Sequence, residues 1–249
     1  MKTLSEAIGY RLGKAASKAR NILDLVGGGE EESLVAEIRF GRDLAAAMLE
    51  RVQLAGENRV TRFATEIGNW LAGNLTEKRI PFTFRVTAER APHAVALPGG
   101  HVFVSAPMLD LCQGQRDEIA FVLGHEMAHI VRRHALDRIV RDSVLSLLLR
   151  QLSGPRAVSA WLARVGRQTL SRAYSRENEL EADAFAVSLI QTCGGDAAAG
   201  ERLLEKLDQR VSHPDVALLG EYLATHPPLP ERLAHLRATR PSRRTASPK

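Results

Sequence analysis

Apolar residues recur at helical spacing over most of this chain, and one short block in the middle breaks the rhythm. Positions Leu4, Ile8, Leu12, Ile22 and Leu23 predict a helix over 4–26. The run GGGEEES interrupts it, and its acidic residues suit the first turn of a following helix. The spacing predicts helices over 34–54 and 58–75, the second from Val60, Phe63, Ile67, Trp70 and Leu71. PFTFRVTA at 81–88 then alternates apolar and polar residues, as a half-buried strand does. HAVALPGGHVFVSA at 93–106 predicts two short strands joined by a Pro-Gly-Gly turn. From Gln115 to Val140 the pattern predicts one long helix, and RDSVLSLLLRQL, RAVSAWLARVGRQTL, SRENELEADAFAVSLIQ and AAAGERLLEKLDQR continue helical. ATHPPLPERLAHLR opens a last helix on a proline-rich turn. The expected fold is α+β and mostly α, with a small sheet just before a long histidine-bearing helix. A strand beside such a helix is a place where an extended peptide can add as a further strand.

Composition narrows the classes. The chain has 249 residues, 45% hydrophobic and 25% charged, enough to bury a real core. Its formal charge of +5 is matched by the last stretch, RATRPSRRTASPK, where Arg237, Arg240, Arg243, Arg244 and Lys249 stand without a single acid. The folded part is therefore close to neutral, and with only 5% aromatic residues it offers neither a basic face nor a stacking surface for nucleic acid. The expected organisation is a helical extension over 1–30, one folded domain over 31–238 and a solvated basic tail over 239–249. Cys112 and Cys193 are far apart in sequence and are expected as free thiols. No stretch reaches the ~20 apolar residues of a membrane span, and the N-terminus lacks the apolar core of a signal peptide. A cytoplasmic location is expected, with residues 1–30 and 144–152 as candidate points of peripheral membrane contact.

The chemistry gathers in VLGHEMAHIVRRH, residues 122–134. On a helix His125 and His129, four apart, lie on one face and can offer two imidazole nitrogens to one cation. Glu126, one position on, is turned about 100° away and can reach a water rather than the ion. This H-E-x-x-H pattern is a known signature of zinc hydrolases, in which the glutamate is the general base. Gly124 costs the helix about 1 kcal/mol relative to Ala and calls for a packing or functional reason. His134 lies five positions after His129, one short of the H-E-x-x-H-x-x-G-x-x-H spacing, and on a continuous helix it faces away; it reads as structural. A third ligand is offered by SRENELEADAF. Glu179 and Asp183 are four apart, so Glu179 can bind the metal while Asp183 holds the second nitrogen of a ligating histidine. Glu177 and Glu181 read as solvent-facing, although spacing leaves Glu181 open as a ligand.

With ALPGGHVFVSAPML, VLGHEMAHIVRRH, SRENELEAD and THPPLPERL in that order, the chain resembles the M48 family of zinc peptidases over roughly residues 35–237. The resemblance implies a gluzincin-type helical core with a small β-sheet and one Zn2+ per chain. It implies His125, His129 and Glu179 as metal ligands, Glu126 as general base and Asp183 within the S-R-x-x-E-x-x-A-D pattern. It further implies an active-site histidine at His226 and a supporting arginine at Arg232. His226 can serve either as a donor to the oxyanion or as an inhibitory fourth ligand. His93 stands where family members usually carry Asn. The expected activity is zinc-dependent endopeptidase action on a protein or peptide, held extended along Val102, Phe103 and Val104. The alternative is a non-proteolytic zinc-binding chaperone-like or adaptor protein on the same fold.

Overall fold

The computed structural model describes residues 29–50, 52–137, 174–211, 222, 226 and 229–239. The helix expected over 4–26, the segment 144–152 and the tail beyond residue 239 lie outside the described residues.

Helix α1 (Glu30–Leu49) starts on the acidic run, with Glu30, Glu31 and Glu32 in its first turn, where the helix dipole favours negative charge. It ends sooner than the apolar spacing predicts. Leu54 instead forms an antiparallel bridge with Thr87. The Ala55 N–H donates to the Val86 carbonyl at 2.9 Å, and the Ala88 N–H to the Gln53 carbonyl at 2.8 Å. Main-chain pairing along a sheet edge has overridden the helical pattern here. Helix α2 (Arg59–Asn74) follows, capped by Asn58, whose side chain accepts from the Val60 N–H at 2.8 Å and the Thr61 N–H at 3.0 Å.

Strands β1 (Thr83–Thr87), β2 (Ala94–Leu97) and β3 (His101–Ser105) form a sheet in the order β1-β3-β2. β2 and β3 make the expected hairpin, antiparallel, and its turn needs Gly99 at φ +75° and Gly100 at φ +99°, where a side chain is strained. β1 pairs parallel to β3, Thr83 opposite His101 through Thr87 opposite Ser105. β3 is thus the central strand. This corrects the expectation that Val102, Phe103 and Val104 bind substrate. Their main-chain groups are committed on both edges, and all three side chains are buried. Val102 and Val104 point into the main core, while Phe103 packs with Leu97 under Ala45 of α1. Helix α1 approaches the hairpin turn so closely that a Cβ on Gly41 would lie 1.8 Å from the Pro98 carbonyl oxygen, so only glycine fits.

After the short helix α3 (Ala106–Leu111), helix α4 (Arg116–Val131) runs through the middle of the molecule. Every residue from Glu118 to Ile130 is buried, so α4 is covered on all sides rather than along one stripe. Ile119, Phe121, Leu123, Met127 and Ile130 are each almost wholly removed from water. Burial of such side chains stabilises by about 1.5–3 kcal/mol apiece as an upper estimate. The helix is shorter than the predicted 115–140. The Arg132 N–H still bonds the Ala128 carbonyl at 2.8 Å, but Arg133 turns into the left-handed region at φ +58° and ends the helix. Helices α5 (Arg176–Thr192), α6 (Ala199–Val211) and α7 (Leu229–Thr239) complete the described core. Ser175 caps α5 by accepting from the Asn178 N–H at 3.2 Å. Cys112 and Cys193 are free thiols. Among the described residues no helix is long and apolar enough to cross a membrane.

Candidate metal centre

Two helices supply most of the site. Gly124 of α4 faces Ala186 of α5, and even an added Cβ would sit only 3.4 Å from the Ala186 Cα. That is ordinary van der Waals contact, so the two helices pack closely at a pair of small residues, although alanine would also fit at 124. Their approach brings His125, Glu126 and His129 opposite Glu179 and Asp183, with Glu179 and Asp183 fully buried.

The Nε2 atoms of His125 and His129 lie 3.1 Å apart. His125 Nε2 is 3.6 Å from Glu179 Oε2, and His129 Nε2 is 3.4 Å from Glu179 Oε1. Four-coordinate zinc with bonds of roughly 2.0–2.2 Å keeps its ligand atoms roughly 3.3–3.6 Å from one another. The two distances to Glu179 fall in that range and the 3.1 Å between the imidazoles is slightly shorter, so the three side chains stand close to the separations that such an ion requires, and two imidazoles with one carboxylate are a donor set suited to zinc. Burial pushes the His129 imidazole well below its ordinary range, which keeps it in the neutral form that can ligate.

His226 closes the cluster. His125, His129, Glu179 and His226 each offer a ligand atom within 4.8 Å of the others, and all four are buried. His226 Nδ1 is 3.1 and 3.3 Å from the two Glu179 oxygens, while its Nε2 is 3.5 Å from Glu126 Oε1. The second Glu126 oxygen, Oε2, is buried and has no hydrogen-bond partner. An unpartnered carboxylate oxygen inside a protein is costly, so its place beside the four-residue cluster is a functional signal.

Behind the cluster, Asp183 Oδ1 is 2.8 Å from His125 Nδ1. A proton on Nδ1 is thereby fixed and Nε2 is left free to ligate. Arg232, fully buried, donates to Asp183 through Nε at 2.8 Å and Nη2 at 2.7 Å. Its Nη1 lies 3.1 Å from Glu179 Oε2 and donates to the Tyr222 hydroxyl at 3.2 Å. Burial pushes the Glu179 carboxyl up, but the charges of His226 and Arg232 more than offset it and hold it well below the usual range. The same contest, won by Arg232, holds Asp183 below its ordinary value.

The structure thus gathers His125, Glu126, His129, Glu179, Asp183, His226 and Arg232 around one point and leaves Val102, Phe103 and Val104 out of it. Sequence reasoning missed Tyr174 and the direction in which His134 points. Tyr174 stacks on the His129 ring with centroids 3.6 Å apart and planes 9° off parallel. Glu181 is exposed, as its spacing suggested, and there its Oε1 pairs with Arg132 at 2.9 Å and its Oε2 with His134 Nε2 at 3.3 Å. His134 does not face away, since its Nδ1 lies 3.1 Å from His129 Nδ1.

The family model described as Peptidase family M48 matches residues 61–240. The beta-barrel assembly-enhancing protease of Yersinia pestis is 28% identical over 233 residues, covering 88% of this chain and 47% of that protein. The mitochondrial metalloendopeptidase OMA1 of Schizosaccharomyces pombe is 32% identical over 160 residues, covering 62% of this chain and 45% of that protein. OMA1 of Arabidopsis thaliana is 32% identical over 145 residues, covering 57% of this chain and 28% of that protein. The chain spans about half the length, or less, of these curated relatives.

Proposed function

The chain belongs to peptidase family M48, and on that footing we propose that it is a zinc-dependent endopeptidase acting on extended polypeptide. The observation that supports this most is the convergence of His125, His129 and Glu179 at ligand separations of 3.1–3.6 Å beside the unpartnered Glu126 Oε2. Zinc held by those three residues would supply Lewis acidity, polarising the scissile carbonyl and lowering the pKa of a water toward ~7. Glu126 removes a proton from the attacking water at Oε2 and returns it to the leaving amine. Asp183 keeps the His125 proton on Nδ1, and Arg232 keeps Asp183 and Glu179 ionised in a buried place.

Substrate is best accommodated on β2 rather than on β3. Among the described residues β2 pairs on one side only. The His93 carbonyl accepts from the Ser105 N–H at 2.9 Å. Because antiparallel pairing alternates, the main-chain groups of Ala94 and Ala96 then point away from β3. An extended peptide adding there would run beside α4, which packs against β2.

Digestion of an unfolded protein tests the reading. Treatment with a chelator is expected to abolish cleavage, and stoichiometric zinc to restore it; cleavage that survives complete metal removal overturns it. Its place in the cluster gives His226 two alternative roles, which one substitution separates. As a donor to the oxyanion through Nε2, its loss in His226→Ala is expected to lower kcat about 10²–10³-fold. As a fourth ligand at the position shown, it would block the site, and His226→Ala would be more active than the wild type.

A further inference from the structure

We propose that His134 is a positioning residue for His129, accepting its Nδ1 proton as Asp183 accepts that of His125; this rests on His129 being a metal ligand. His129 Nε2 points at His125 Nε2 and Glu179 Oε1, 3.1 and 3.4 Å away. A ring that ligates through Nε2 carries its proton on Nδ1. That Nδ1 lies 3.1 Å from His134 Nδ1, and a hydrogen bond between two imidazole nitrogens needs one proton and one lone pair. His134 Nδ1 is therefore bare, and the His134 proton sits on Nε2, where Glu181 Oε2 accepts it at 3.3 Å. Glu181 is in turn held by Arg132 Nε at 2.9 Å. The result is a chain from the centre to the surface: His129, His134, Glu181, Arg132.

The backbone is shaped to make this contact. On a continuous helix His134 would point elsewhere. The left-handed Arg133 redirects the chain, and its Nε pairs at 3.2 Å with Glu37, a buried carboxylate on α1. Tyr174 stacks on one face of the His129 ring and favours the ring plane that meets His134. His129 is 0% exposed, so its Nδ1 proton has little access to bulk water as a competing acceptor. An acceptor at this place fixes the His129 tautomer and raises its basicity. Removing such a partner typically weakens metal binding 10–100-fold.

Zinc dissociation constants from chelator competition, measured on the full chain, test the proposal alongside ring nitrogen NMR of the zinc-loaded wild type. His134→Phe keeps a ring without an acceptor and is expected to bind zinc about 10–100-fold more weakly. His134→Asn places an amide oxygen near the lost Nδ1 and is expected to recover most of that loss, which a purely packing role would not give. The NMR spectrum is expected to show the His134 proton on Nε2 and the His129 proton on Nδ1. Wild-type affinity in His134→Phe, or a His134 proton on Nδ1, overturns the proposal while leaving the metal site intact. A wild type that binds no zinc overturns the metal reading itself. Should His134→Phe fail to fold, the wild-type spectrum decides alone.

Discussion

Glu126→Gln is expected to lower hydrolysis of an unfolded protein substrate by about 10²–10⁴-fold while zinc stoichiometry stays at the wild-type value. The substitution keeps the shape of a side chain that is 1% exposed and removes only its ability to take a proton. Glu126 makes none of the close contacts that join His125, His129 and Glu179 to one another, so metal affinity has no reason to fall. Stability of the metal-free protein is expected to hold or rise, because a buried carboxylate with one unpartnered oxygen is replaced by a neutral amide. Steady-state cleavage rates, metal analysis and urea unfolding read the three effects separately. Full proteolysis in the Gln variant would remove Glu126 from the role of base. Loss of zinc together with activity would show instead that Glu126 supports the metal.

What the sequence disclosed of this site depended on spacing along single helices. His125 and His129, and again Glu179 and Asp183, are each one turn apart, and a helix of ordinary geometry fixes which face they share. The small sheet was legible as strands for a related reason, because PFTFRVTA alternates apolar and polar residues and HAVALPGGHVFVSA folds back on a Pro-Gly-Gly turn. Strand order was not. The parallel pairing of β1 with β3 is set by tertiary packing, and it moved the free edge from Val102–Val104 to β2. The end of α4 was hidden for a related reason. Arg133 carries no glycine or proline signal, and what accompanies its left-handed turn is a salt bridge to Glu37, which comes from another helix altogether. With that turn unseen, His134 was placed on the wrong side. Leu54 shows the same limit at the other end of the fold, where pairing with Thr87 outweighs a helical apolar pattern.

Arg232→Met is expected to destabilise the metal-free protein by about 3–5 kcal/mol, the usual cost of leaving a buried charge without its partner. For a chain of this size that corresponds to a fall in Tm of roughly 6–20 °C. Arg232 is 0% exposed and serves two buried carboxylates at once, through paired donors on Asp183 and a third nitrogen toward Glu179. Methionine fills much of the volume, so the loss is electrostatic rather than a cavity. Arg232→Lys keeps one charge but not the planar fork, and is expected to fall between the Met variant and the wild type. The pH dependence follows from Asp183, whose carboxyl is held below its ordinary value of 3.8 by the guanidinium. A depressed carboxylate stabilises the fold above its unfolded pKa, and that contribution is lost as pH falls through the lower, folded value. The gap between wild type and Arg232→Met is therefore expected to be full at neutral pH and to narrow below about pH 4. Urea titrations of both proteins at pH 7 and in acid measure that gap. A pH-independent difference would mean that Arg232 acts through packing alone.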